Sequence, residues 1–63
     1  TLSINAREID HRMIGRSLSS IPVKSSESII GITNSNGKLL LFDGKQDIVL
    51  NPRDRIIYAR ISD

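Results

Sequence analysis

Apolar residues in this chain fall in short runs rich in isoleucine and leucine, separated by stretches of Ser, Asn, Gly and Asp. That spacing predicts strands joined by tight turns. Residues 3–9, with Ile4 and Ala6 on one side if extended, read as a weak or edge strand. Asp10 offers a carboxylate to cap a turn that begins near His11. Ile14, Leu18 and Ile21 then recur at i, i+4 and i+7, one face of a helix, with Ser17, Ser19 and Ser20 mostly on the other. Pro22 stops that helix at about two turns, because it lacks an N–H and biases Ile21 away from helical angles.

Beyond a polar loop at residues 24–28, "IIGIT" (29–33) is a β-branched strand, and "NSNG" (34–37) supplies the residues of a hairpin turn. "KLLLF" (38–42) returns as a strand whose continuous apolar run implies that both of its faces are covered, by a partner surface if not by this chain. Asp43 and Gly44 mark a second turn, and "DIVL" (47–50) is a brief strand or turn. "NPRD" (51–54) forms a third turn with Pro52 at its second position. The closing stretch 55–61 alternates: Ile57, Ala59 and Ile61 share one wholly apolar face, expected on the core, with Ile56, Tyr58 and Arg60 opposite. The predicted class is therefore α+β, a small, mostly antiparallel sheet with one short helix packed on one face.

Length sharpens this picture. A chain of 63 residues makes a single domain spanning 1–63, and at this size only about 60 % of the unfolded chain's surface is buried. Without cysteine no disulfide or thiolate metal site reinforces the core, and Phe42 and Tyr58 are the only aromatic side chains. Burial of one face against a second copy or a larger host is the expected remedy. The net charge of +2 is slight, and the basic residues are dispersed among seven acids, which argues against a polyanionic partner. No apolar run approaches the ~18 residues of a membrane span. The chain opens on Thr1 rather than methionine, which suggests a piece excised from a longer protein.

"IGRSLSSIPV", "IIGITNSNGKLLLF" and "DIVLNPRDRIIYARI" together resemble the TrkA-C family, the C-terminal lobe of regulators of potassium conductance. Gly15, Arg16, Ser17, Leu18 and Ile21 match its first block, Asn36 and Gly37 its hairpin, and Leu50, Pro52, Asp54 and the strand from Arg55 its last. The resemblance covers nearly the whole chain. It implies a non-catalytic cytoplasmic module that regulates a potassium or other cation channel or transporter, pairs as a homodimer, and in several branches binds cyclic di-AMP or another small effector. Any ligand is then expected in the groove between copies, near Ile30, Ile32, Asn34, Leu41, Phe42 and Asp43. Two departures stand out. Many members carry Asn-Pro after the second hairpin strand, where this chain has Phe42 and Asp43, and the usual Pro-Gly-Asp turn reads Pro52, Arg53, Asp54. Without the glycine, Arg53 should keep a negative φ and project outward.

Other chemistries fare less well on the sequence. His11, the sole histidine, has no fixed nucleophile or acid beside it, so no catalytic residue is assigned and the chain reads as not an enzyme. Asp43, Asp47, Asp10 and Glu8 match no calcium-loop spacing and are read as solvated carboxylates, with no metal site. Phe42 and Tyr58 could stack a nucleobase but more often fill a core or interface. Two alternative functions remain beside the regulatory one. One is a structural assembly adaptor without ligand, favoured by the altered 42–43 segment. The other is a small nucleic-acid-binding β module, which needs arginines that converge on one face.

Overall fold

The computed structural model describes residues 1–62. Its frame is a four-stranded antiparallel sheet of β1 (Leu2–Glu8), β2 (Glu27–Thr33), β3 (Leu39–Leu41) and β4 (Arg55–Ile61), in the order β1-β4-β2-β3. β1 is thus an edge strand, as its sparse apolar content predicts. β4, the strand with the strongest alternation, lies between β1 and β2. The hairpin between β2 and β3 is built by Asn34, whose side-chain Oδ1 accepts from the amides of Asn36 and Lys38 at 2.9 and 3.0 Å. The two ends of the chain meet, with the Ser62 amide donating to the Thr1 carbonyl at 2.8 Å.

The expected helix over residues 11–21 does not form. Two isolated 3-10 turns stand in its place, His11–Met13 and Leu18–Ser20, and no α-helix occurs among the described residues. Gly15 adopts φ 83, a left-handed conformation that ends a right-handed helix wherever it occurs. The serines that follow have weak helix preference and hydrogen-bond locally: Ser20 Oγ donates to the Ser17 carbonyl at 2.7 Å. The freed backbone groups pair with a distant segment instead. Gly15 N donates to Leu50 O, Leu50 N to Arg16 O, and Leu18 N to Ile48 O, at 2.7–2.9 Å. This short irregular ladder is the second layer of the fold.

That layer covers one face of the sheet only. Leu18, Ile21, Ile48 and Leu50 descend from it onto Ile32 and Ile56, with Ile9, Met13, Ile29 and Phe42 packed around the cluster. Leu18 and Ile21 are therefore core, as their spacing suggests, whereas Ile14 is exposed. The face of β4 turned to the core is not the wholly apolar one. Ile56 is buried, and Ile57, Ala59 and Ile61 line the opposite, open side. An extra residue in β2 between the pairs Ile29–Tyr58 and Gly31–Ile57 shifts the register, which lets Ile29 and Ile32 both reach the core. β3, read as covered on both faces, is the other edge strand. Its three leucines are all exposed, so the described residues bury neither face of it. No helix among the described residues is long and apolar enough to cross a membrane.

Candidate functional site

The most promising concavity lies on the covered side of the sheet, where the β2–β3 hairpin meets the segment leading into β4. It is a cleft of about 420 Å³. Ile32, Leu40, Ile48 and Val49 give it an apolar floor, and Asn34, Lys38, Asp47, Asn51 and Asp54 give it polar walls. Each wall residue is held by local turn chemistry. Asn34 caps the hairpin as described. Asp54 is buried because its carboxylate accepts from the Asn51 amide at 3.0 Å and the Asn51 side-chain amide at 3.4 Å. The Asp54 amide in turn donates to the Asn51 carbonyl at 3.0 Å, closing the "NPRD" turn around Pro52. Arg53 keeps a negative φ and stays exposed, as the loss of glycine there predicts. Among the described residues, Lys38 and Asp47 form no ion pair and remain open to a ligand.

Only two of the residues expected at a ligand site, Ile32 and Asn34, line this cleft. The register explains the dispersal of the rest. Ile32 pairs with Leu40, and Gly31 with Leu41, so Leu40 joins the cleft while Leu41 points to the other side of the sheet. Ile30 offers its carbonyl to the Phe42 amide at 2.8 Å. Phe42 packs against the core cluster. Asp43 shapes the next turn, its Oδ1 accepting from the Lys45 amide at 2.8 Å while its own amide donates to Gln46 Oε1 at 2.9 Å. Lys38, Asn51 and Asp54 enter the site unheralded. Lys38 and Asp54 stand at the ends of turns that the sequence marks plainly, but nothing in the sequence says that those turns adjoin.

The arginines have separate fates. Arg7 lies over the Tyr58 ring, 4.7 Å from its centroid, and reaches the buried Glu27 carboxylate at 3.4 Å. Tyr58 is thereby engaged by a cation of its own chain. Arg60 is on the core side and exposed. Arg53 and Arg55 come together with Thr33, Asn34, Ser35 and Gly37 around a second open hollow of about 400 Å³ at the hairpin end. Arg55 is also 3.8 Å from Glu8. At the first 3-10 turn, Asp10 accepts from the Arg12 amide at 3.0 Å and from its guanidinium at 3.1 Å. These hydrogen bonds hold its carboxyl below the usual carboxylate range and raise the Arg12 guanidinium in return. His11 Nδ1 lies 3.2 Å from the same carboxylate on the surface. Among the described residues, no three His, Asp or Glu side chains gather where a metal could be held.

Comparison with known proteins adds no relative: no family profile, curated protein or solved structure matches this chain.

Proposed function

We propose that this chain is a regulatory domain of the TrkA-C type, a ligand-sensing and dimerising unit on the cytoplasmic side of a potassium or other cation transporter or channel. Beside the ordered motifs of the sequence, the observation that carries this reading is the cleft under the β2–β3 hairpin, an apolar floor with a few convergent polar groups. A purine ring suits the floor of Ile32, Ile48 and Val49, and the amides of Asn34 and Asn51 stand at its edge. Lys38 supplies a cation for phosphate. Asp47 and Asp54 on the same walls oppose further negative charge, so a phosphodiester such as cyclic di-AMP is favoured over a polyphosphate.

The test is a thermal-melt screen against cyclic di-AMP, other nucleotides and divalent cations. A ligand held only by the folded state and present at about a hundred times its Kd adds about 2.7 kcal/mol. For a domain of this size that raises Tm by about 10 °C or more. Lys38 is exposed and its side chain is absent from the turn's hydrogen bonds, so Lys38→Ala should keep the unliganded Tm and lose most of the shift. A flat melting profile across the whole screen would turn the reading toward an assembly adaptor without ligand.

A further inference from the structure

We infer that the open face of the sheet, opposite the core, is the surface through which two copies of this chain pair. It rests on the dimerising half of the proposed function and stands apart from the ligand half.

The face follows from strand register. In the β1–β4 ladder Leu2 lies opposite Ile61, Ile4 opposite Ala59 and Ala6 opposite Ile57. Opposed residues of an antiparallel pair share a side, so these six side chains form one continuous apolar patch. Gly31 of β2, opposite Ile57, and Leu41 of β3, opposite Gly31, carry it across the whole sheet. Among the described residues nothing lies over it: Leu2, Ile4, Leu41 and Ile61 are 66, 60, 61 and 64 % exposed. The chain's entire second layer is spent on the other face.

Area and charge both select a second copy as the occupant. Four large side chains this exposed, with Leu39, Ile57 and the two alanines, offer on the order of 500 Å² at roughly 100 Å² for each large one. Two such faces together bury about 1,000 Å², the lower bound for a specific interface. Among the described residues, the only charged side chains on this face are Glu8 and Arg55, which oppose each other across the ladder at 3.8 Å. The patch is therefore neutral, and an identical patch meets it without like-charge repulsion. Ala6 and Gly31 flank Ile57 across the strands and Ala59 follows it along β4, so the patch is low around Ile57 and admits a facing side chain. Pairing edge to edge through β3 offers much less, since that strand is three residues long and gives a short ladder.

Adjacent leucines of β3 separate the two arrangements. Leu41 is on the open face, and Leu40 turns to the cleft on the other side. Sedimentation equilibrium of the 63-residue chain should show a reversible dimer. Leu41→Asp and, on the far edge strand, Ile4→Asp should each raise the dimer's Kd by at least ~100-fold, because each buries an unpaired charge. Leu40→Asp should leave it within a few-fold of the parent. All three side chains are exposed in the single chain, so circular dichroism should show each variant folded. A parent chain that stays monomeric would overturn the inference and the dimeric reading together. A dimer weakened equally by Leu40→Asp and Leu41→Asp would overturn the face and leave dimerisation standing.

Discussion

Replacing Leu18 by alanine should unfold a large share of this protein at moderate temperature. Leu18 is fully buried, at 0 % exposure, and it is the point where the irregular layer is pinned to the sheet. Truncating a leucine in such a site costs about 3–5 kcal/mol, the lost transfer energy plus the cavity left behind. A domain of 63 residues has a total stability of only about 3–9 kcal/mol. The Leu18 amide also donates to the Ile48 carbonyl at 2.7 Å, so loss of its packing loosens the ladder that holds Ile48 and Leu50 in place. Denaturant titration of the parent and Leu18→Ala chains measures the difference. The same truncation at Leu2, 66 % exposed in the single chain, should cost well under 1 kcal/mol in dilute monomer. Similar losses at the two positions would mean that the core does not lie where the structure puts it.

The second large effect is expected at Gly31. It sits just beyond the register shift of β2, where the chain passes so close to β3 that a Cβ would lie 2.2 Å from the Leu40 carbonyl oxygen and 3.1 Å from the Leu41 Cα. Both obstacles are backbone, so no rotamer change relieves the clash. Gly31→Ala should therefore cost about 3 kcal/mol or push β3 off the sheet. With only Gly31–Leu41, Ile32–Leu40 and Thr33–Leu39 pairing, β3 is the strand that yields. Amide exchange distinguishes the outcomes: the Phe42 amide, bonded to the Ile30 carbonyl, should lose protection while the β1–β4 ladder keeps its own. Unchanged stability with unchanged protection would show that β2 and β3 have room the structure denies them. Since β3 contributes Leu40 to the cleft and Leu41 to the open face, this variant should impair both proposed activities.

Much of this fold is legible in the sequence. The β-branched run at 29–33, the alternation at 55–61 and the turn residues at 34–37 and 51–54 each specify local structure by themselves. Leu18 and Ile21 are recognisable as core, but the helix inferred from their spacing with Ile14 is not there. A 3.6-residue spacing over so few positions does not tell a helix from two turns hinged at Gly15, and the ladder to residues 48–50 that decides the matter is non-local. The orientation of β4 is hidden for a related reason. A period of two separates Ile56 from Ile57 but does not say which side will find cover. Cover comes from residues 9–21 and 48–50, and they close over Ile56. The more apolar side of β4 is left outside, an arrangement that suits a pairing surface better than a core. Of the cleft's nine lining residues, the sequence points to Ile32 and Asn34 alone. Lys38 and Asp54 join it only because the hairpin and the "NPRD" turn pack side by side.

The proposed effector cleft lies on one side of the sheet and the proposed pairing face on the other, with β3 exposed to both. A ligand regulates such a pair only if it binds the paired and unpaired chains with different affinity. The most direct measurement is the dimer's Kd by sedimentation equilibrium, with and without cyclic di-AMP at a concentration that saturates the melting shift. A change of about 5-fold or more in that constant is expected. Identical constants with and without the bound nucleotide would contradict it.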